Sequence, residues 1–408
     1  MFFTKEQDEI IEQVVEYKKN VFYSGQAGTG KSVLLREIIS RLNPNDVAVT
    51  ASTGIAACNI NGCTLHSFAG IRTGDQIVTD LIKAMNKQAV YRWRKTKILI
   101  IDEISMIDGR LFDKIEEIAR TIRQNNRPFG GIQLLICGDF LQLPPVGEDT
   151  IFAFEAVSWN SCIDRTFILT NVFRQTEKEF LTALSEIRMG EPSRKTNELF
   201  ENLDRDQDTE DGIIPTQLFP LRSQADVVND EFVGKLSGEE KTYIAKDYCT
   251  FESYAKKLDK DCIAPKTIRL KIGAQVIFLL NKPDLKLVNG TVGKVIRFSK
   301  STKLPVVKFS NGVIHQVSEN TWEIKSGKKV VATRTQLPLI LAYALTIHKS
   351  QGQTLKYVSV DLSKVFEHGQ VYVALSRATS LDGLKVIGYD PMKIKANQTV
   401  LDYYIHHL

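Results

Sequence analysis

The sequence predicts an α/β protein built on parallel sheets, with a small antiparallel barrel inserted in its C-terminal half. Three observations carry that reading. Short apolar β runs alternate with amphipathic helices from Val21 to Cys137, the pattern of a parallel sheet covered on both faces. Gly25-Gln26-Ala27-Gly28-Thr29-Gly30-Lys31-Ser32 joins one such run to one such helix and matches a complete phosphate-binding loop. From Gly273 to Ile324 brief β runs are separated by turn signals, and from 335 to 408 the α/β texture returns.

In chain order, Thr4 as N-cap with Gln7 at the capping-box position predicts an opening helix over 4–19. Val21-Phe22-Tyr23 is a short strand ending in the glycine-rich turn. Lys31 to Leu42 carries Val33, Leu34, Ile38 and Leu42 on one helical face and stops at Asn43-Pro44, and Val47-Ala48-Val49 is again a strand. Ile98 to Ile101 and Ile132 to Cys137 are continuous apolar β runs, and between them Leu111, Phe112, Ile115, Ile118, Ala119 and Ile122 follow the 3.6-residue period. Residues 70–97 interrupt the alternation and end in Tyr91-Arg92-Trp93-Arg94-Lys95-Thr96-Lys97. That basic, aromatic stretch reads equally as an amphipathic approach to the next strand or as a nucleic-acid contact. Residues 191–212 are polar, and Glu201 to Asp211 carries six acids against one Arg, which reads as a solvated loop or linker. The barrel strands are Gln275 to Leu280, Thr291 to Phe298, Pro305 to Phe309 and Val313 to Val317, separated by Asn289-Gly290, Ser299 to Lys303 and Asn311-Gly312.

Composition narrows the classes. The 408 residues allow two or three domains, and 43% hydrophobic against 25% charged residues is a globular balance. Lys+Arg 53 against Asp+Glu 48 gives +5, compatible with a polyanionic partner without demanding one. Six dispersed cysteines favour a reducing, intracellular setting over a disulfide framework. The N-terminus lacks a basic and apolar leader. The longest nearly apolar stretch, Leu337 to Ile347, contains Pro338 and falls short of the ~20 residues a bilayer needs, so no membrane insertion is expected.

The chemistry starts at the glycine-rich loop. Its glycines let backbone N–H groups curl around phosphate oxygens at a helix N-terminus, whose dipole adds attraction. Lys31 is placed to reach the β- and γ-phosphates and the Ser32 hydroxyl to bind Mg²⁺. Asp102 and Glu103 end a buried strand. Asp102 would hold Mg²⁺ through water, and Glu103 would orient and deprotonate the attacking water. The expected reaction is hydrolysis of a nucleoside triphosphate, with ATP as substrate and Mg²⁺ as metal. Gln142, in Gly138-Asp139-Phe140-Leu141-Gln142-Leu143-Pro144-Pro145, could sense the γ-phosphate. Arg174 and Arg377 each follow an apolar run outside the phosphate-loop domain. A cation reaching the transferred phosphoryl from a second domain can be worth about 10³–10⁵ in rate. Cys58-x4-Cys63-x2-His66 lacks a second nearby ligand pair, so no zinc site is read there.

Together these motifs resemble the superfamily-one helicases, and within them the PIF (petite integration frequency) family of 5′→3′ DNA helicases. The matching pieces are Thr4 to Gln7, the phosphate loop, Thr50 to Ala57, Thr64 to Phe68, Ile101 to Met106, Leu169 to Gln175, Ala342 to Thr354 and Val371 to Ala378. The stretch from Asp113 through Pro128-Phe129-Gly130-Gly131 to Pro145 is similar to the family's own signature, which separates it from RecD-like and Dda-like relatives. Length departs from the family pattern: extensions around the core are expected to be absent from this sequence or removed from it.

The resemblance implies two RecA-like P-loop domains with ATP between them. Residues 1–165 would form the first, with a wedge-like insertion over 70–97 that parts duplex strands. Residues 166–235 and 335–408 would form the second, and 236–334 the inserted region with an SH3-like β-barrel. Gln7 would read adenine, and Gly352 with Arg377 would complete the γ-phosphate side. Thr53, His66 and Phe68 in the first domain and Thr346, His348 and Ser350 in the second would touch single-stranded DNA. Hydroxyls and imidazoles suit phosphates, and an aromatic stacks on bases.

The expected function is an ATP-dependent helicase that translocates 5′→3′ on single-stranded DNA and unwinds forked or G-quadruplex DNA in replication, repair, recombination or telomere maintenance. The expected protein is a monomer in solution, in the nucleoid of a prokaryote or the nucleus and mitochondrion of a eukaryote. The alternatives are a phosphate-loop switch or loader that does not unwind, a RecD-like or Dda-like helicase, and an RNA helicase.

Overall fold

The computed structural model describes residues 3–407 apart from 72–73, 148, 208, 210–211, 281, 288 and 327–328. The chain divides into two units, one of residues 1–173, 325–330 and 396–408 and one of residues 174–324 and 331–395.

The first unit is built from α1 (Lys5–Val15), β1 (Val21–Gly25), α2 (Lys31–Arg41), β2 (Val47–Ala51), α3 (Gly54–Asn59), β3 (Cys63–Thr64), α4 (Leu65–Ala69), α5 (Val78–Ala84), α6 (Lys87–Lys95), β4 (Ile98–Asp102), α7 (Gly109–Arg123), β5 (Gln133–Cys137), α8 (Trp159–Cys162) and β6 (Arg165–Leu169). Its six strands form one sheet in the order β3-β2-β4-β5-β1-β6, parallel throughout. Alternation along a strand sends successive side chains to opposite faces. Val21 and Tyr23 therefore join Ile10, Ile11 and Val14 of α1 and Leu34, Leu35 and Ile38 of α2 in one core. Phe22 turns the other way, with its ring 5.5 Å from Phe140 and 5.3 Å from Trp159. Both sheet faces are thus covered, which explains why the strands read as unbroken apolar runs.

Two boundaries differ from expectation. The run at 165–169 is β6, paired with β1 from Val21↔Arg165 to Gly25↔Leu169, so the first unit continues past residue 165. The helix expected over 4–19 ends at Val15, and Lys18 beyond it takes a left-handed φ of 53°.

The segment 70–97 forms α5 and α6, laid against α4 and α7. Trp93 is fully buried, edge-on to Phe68 at 4.7 Å, and donates its indole N–H to Ala69 O. Arg92 donates to Ser67 O and Phe68 O, and Arg123 of α7 donates to the Trp93 and Thr96 carbonyls. Half of the basic-aromatic stretch is therefore packing, while Tyr91 stands 63% exposed.

The second unit comprises α9 (Lys178–Met189), α10 (Arg194–Glu201), β7 (Thr216–Phe219), α11 (Arg222–Lys235), β8 (Lys241–Ile244), β9 (Lys246–Cys249), α12 (Glu252–Asp261), β10 (Thr267–Leu270), β11 (Gln275–Phe278), β12 (Val292–Phe298), β13 (Pro305–Phe309), β14 (Ile314–Gln316), β15 (Asn320–Ser326), β16 (Lys329–Gln336), β17 (Leu339–Leu341), β18 (Ala344–Thr346), α13 (Ile347–Ser350), β19 (Val358–Asp361), α14 (Gln370–Leu375) and β20 (Leu384–Ile387). Residues 325–330, at the β15–β16 turn, group with the first unit. A parallel sheet runs β18-β7-β19-β20, and a five-stranded antiparallel sheet runs β14-β13-β12-β11-β17. Its last strand, β17, lies beyond the expected limit at 334, because Phe278↔Leu339 pairing supplies the edge that β11 lacks.

The polar stretch 191–212 is not all loop. It contains α10, whose buried Phe200 stacks on Tyr389 at 5.6 Å; Asp208, Glu210 and Asp211 of the acidic run lie outside the described residues. Buried Arg334 of β16 forms a fork onto Asp247 Oδ1 and Oδ2 at 2.9 and 2.7 Å and reaches Asp259 of α12 at 2.5 Å. After β20 the chain ends in α15 (Gln398–His407), which belongs to the first unit rather than to the expected second domain. There Tyr403 and Tyr404 meet Trp159 and Asp139. No described helix is long and apolar enough to cross a membrane.

Candidate functional site

The carboxyl edge of the first sheet gathers the nucleotide motifs because β1, β5 and β4 lie side by side there. In open parallel sheets this edge is where ligands bind. The phosphate loop leaves β1 and enters α2 through Gly30, a left-handed N-cap with φ 85° and no side-chain cap. A Cβ at Gly30 would stand 3.2 Å from Gln7 Nε2 and 3.7 Å from the Phe173 ring. The left-handed φ is what favours glycine there, and a Cβ would also crowd the Gln7 amide.

Lys31 Nζ donates to Gly25 O at 2.5 Å and Gln26 O at 3.0 Å, folded back onto its own loop. Gln7 is fixed by the predicted capping box: its Oε1 accepts from Thr4 N and its backbone N–H donates to Thr4 Oγ1. The Gln7 Nε2 donates to Thr29 O at 3.4 Å, so the first helix is keyed to the phosphate loop.

Asp102 ends β4 inside the protein. Its Oδ1 accepts from Glu103 N–H and from the Cys137 thiol, each at 2.9 Å. Burial raises its pKa from the ordinary carboxylate range, while those two hydrogen bonds and the charges of Lys31 and Arg36 oppose the rise. Burial also pushes the Cys137 thiol and the Tyr23 phenol well above their usual values. Cys137 thus stays S–H and serves as a donor. Oδ1 is thus doubly committed, and the carboxylate of Asp102 and the hydroxyl of Ser32 are hard oxygen donors of the kind Mg²⁺ takes.

Glu103 adopts φ 53°, ψ 50°, a left-handed conformation that costs a non-glycine residue about 1–3 kcal/mol and clusters at functional sites. Close packing sustains it: a Cβ at Gly138 would fall 2.9 Å from Ile104 N. Gln142 is buried and donates Nε2 to Asp139 Oδ2 at 3.2 Å.

In the second unit, Arg174 and Arg377 converge on one residue. Arg174 Nη1 donates to Ser376 O at 2.9 Å and Arg377 Nη2 to Ser376 Oγ at 2.8 Å. Gln175 adds bonds to the Ser376 and Ala378 carbonyls. Arg377 is only 2% exposed, its Nε held by Val373 O. Gly352 follows α13 at a left-handed φ of 75°.

The six residues expected on DNA divide. Thr53 Oγ1 accepts from Ala56 N at the start of α3, and His66 is half-buried on α4. Thr346 caps α13 by accepting from Lys349 N, and His348 lies 3.7 Å from Glu367. Phe68 and Ser350 do not fit their expected roles. Phe68 is 3% exposed, its ring consumed by Trp93, and a stacked base needs an open face. Ser350 is wholly buried and donates its hydroxyl to Ile347 O at 2.8 Å. Cys58 of the cysteine-histidine spacing has its side chain outside those described.

Several contributors escape a sequence reading. Phe173 stands 59% exposed beside Gly30 with its N–H on Gly28 O, and only its place next to Arg174 hinted at it. Cys137 and Asp139 lie in the signature stretch without a pattern that marks them. Tyr404 carried no signal.

Residues 2–204 match the model described as PIF1-like helicase, and residues 253–298 match the one described as DNA helicase Pif1, 2B domain. The chain is 44% identical over 463 residues to the ATP-dependent DNA helicase PIF1 of Emericella nidulans, covering 98% of this chain and 62% of that protein. It spans about three-fifths of the length of the first curated relatives it matches. The crystal structure of the Pif1 helicase from Candida albicans superposes with a TM-score of 0.84 at 43% identity, covering 99% of both chains. The Bacteroides Pif1 helicase in complex with ADP-AlF3 and single-stranded DNA matches at 29% identity and a TM-score of 0.71, covering 100% of this chain and 98% of that one.

Proposed function

Because this chain belongs to the PIF1-like helicase family, we propose that it is an ATP-dependent DNA helicase that hydrolyses ATP at the first unit's sheet edge, translocates 5′→3′ on single-stranded DNA and unwinds forked duplex or G-quadruplex DNA as a monomer. The observation that supports this most is the gathering of Lys31, Ser32, Asp102, Glu103 and Gln142 at one edge of a parallel sheet.

In this reading Lys31 exchanges its two loop carbonyls for β- and γ-phosphate oxygens, which replaces two neutral acceptors by charged ones. Backbone N–H groups of 25–32 cradle the phosphates, and Gln7 and Phe173 flank the base. Ser32, and Asp102 through water, would hold Mg²⁺, which would supply positive charge against the charge developing on the phosphates. Glu103 takes the proton of the attacking water, and its left-handed backbone fixes the carboxylate ahead of the reaction. Gln142 senses the γ-phosphate, and Arg174 and Arg377, with Gly352, belong to the half of the machinery that the second unit carries.

Thr53, His66, Thr346 and His348 hold the DNA backbone without reading sequence. Segment 70–97 serves as the wedge, with exposed Tyr91 as its free aromatic, and the antiparallel sheet of β11–β14 and β17 serves as the SH3-like module. Opening a base pair costs about 1.4 kcal/mol on average, so a one-way walker that traps fraying ends can unwind.

The test is strand displacement on forked duplexes bearing a 5′ or a 3′ tail, with and without ATP. Displacement only with ATP and only from the 5′-tailed substrate is expected. Hydrolysis indifferent to DNA, with no displacement, would instead favour a phosphate-loop switch or loader. Lys31→Ala should abolish hydrolysis; DNA-stimulated turnover that survives it would refute the phosphate site.

A further inference from the structure

Tyr404, on the terminal helix α15, closes a hydrogen-bond network inside the nucleotide site. Its hydroxyl lies 3.1 Å from Asp139 Oδ1, 3.2 Å from Phe140 N and 2.5 Å from Ser24 Oγ. A phenol has one proton and two lone pairs. The carboxylate can only accept, so that proton goes to Asp139, and the Phe140 N–H and the Ser24 hydroxyl donate to Tyr404. The hydroxyl thus serves three partners, and in the ATPase reading these flank the phosphate loop and the turn that carries Gln142.

Ser24 is fully buried and directly precedes Gly25, whose carbonyl holds Lys31. Asp139 is fully buried and passes its other oxygen to Gln142 Nε2 at 3.2 Å, while Oδ1 also accepts from Leu141 N. One hydroxyl thus ties the root of the phosphate loop to the turn that carries Gln142. The tie spans 380 residues of sequence between Ser24 and Tyr404. It comes from a segment that the chain reaches only after completing the second unit.

We propose that Tyr404 is a positioning residue for ATP turnover: through Asp139 it fixes the Gln142 amide, and through Ser24 it fixes the phosphate loop, so that α15 is part of the ATPase site. The inference rests on the ATPase reading above. Buried, fully satisfied networks fix one geometry and lose it when a member is removed, and displacement of a sensing group costs rate more than binding. The adjacent Tyr403 supplies an internal comparison. It is anchored elsewhere, accepting from Trp159 Nε1 at 3.2 Å and stacking on Phe154 at 4.1 Å.

The experiment measures DNA-stimulated ATP hydrolysis and melting temperature for the full chain and for Tyr404→Phe, Tyr403→Phe, Gln142→Ala and the Tyr404→Phe/Gln142→Ala double variant. Tyr404→Phe should lower kcat about tenfold with KM for ATP within about twofold. Tyr403→Phe should lower the melting temperature and leave kcat unchanged. The double variant should lose less than the two single losses combined, because one of the two ties of Tyr404 runs through Asp139 to Gln142. If Tyr404→Phe fails to fold, Ser24→Ala cuts the same network at its other end and should show the same split between kcat and KM. A wild-type kcat in Tyr404→Phe, or rate losses that simply add in the double variant, would overturn the assignment and leave the ATPase reading intact. An unmodified chain that hydrolyses no ATP would remove both.

Discussion

At the residue scale, two acidic positions at the end of β4 carry a cost in stability. Asp102 keeps an acidic group where burial raises its pKa, and Glu103 holds a left-handed backbone. The sign for Asp102 follows from linkage: a carboxyl whose pKa is raised by folding binds protons more tightly when folded, so its ionised form costs stability at neutral pH. Asp102→Asn should therefore raise the melting temperature measured without nucleotide at pH 7 while hydrolysis is lost, and the gain should shrink as pH falls into the carboxyl range. A lower melting temperature would mean that the hydrogen bonds from Glu103 and Cys137 outweigh burial. Glu103→Gln keeps the shape and removes the base. It should bind ATP normally and stall the chemical step by about 10²–10⁴, the range for one general base; an unchanged single-turnover rate would take Glu103 out of that role.

At the scale of elements, α6 puts like residue types to different uses. The sequence from Tyr91 to Lys97 joins aromatic and basic residues, and pattern alone does not separate packing from contact with a polyanion. The fold divides them by helical phase. Trp93 turns inward onto Phe68 while Tyr91 turns outward. Trp93→Ala should cost about 3–5 kcal/mol of unfolding free energy, the usual range for a buried aromatic, read from urea denaturation. Tyr91→Ala should leave that free energy within about 0.5 kcal/mol and lower strand displacement alone. The opposite pattern would exchange their roles. In the second unit, buried Arg334 bonds Asp247 and Asp259 and so ties α12 to β9 and β16. The sequence pattern marks no element at that helix, whose Asp259 finds its partner Arg334 about 75 residues away.

At the scale of the whole molecule, the proposed machinery is divided between the two units. Arg174 and Arg377 meet at Ser376 in the second unit, whereas the phosphate loop belongs to the first. If these arginines stabilise the transferred phosphoryl, Arg377→Ala should depress kcat by about 10³-fold or more with ATP affinity changed far less. Stopped-flow nucleotide binding alongside steady-state hydrolysis separates the two. A large loss of affinity with kcat preserved would make Arg377 a ground-state contact.

Local chemistry made much of this protein legible from its sequence. The phosphate loop, the Thr4–Gln7 capping box, the acidic pair ending β4 and the apolar runs of β1, β4 and β5 are short-range patterns. Backbone geometry and burial dictate them within a few residues, so they could be read without the fold. The placement of β6 beside β1, the burial of Phe68 and Ser350, the thiol of Cys137 against Asp102 and the docking of Tyr404 onto Asp139 and Ser24 were decided only in three dimensions. Each depends on which surfaces distant segments bury together, and packing of that kind leaves no periodic trace along the chain.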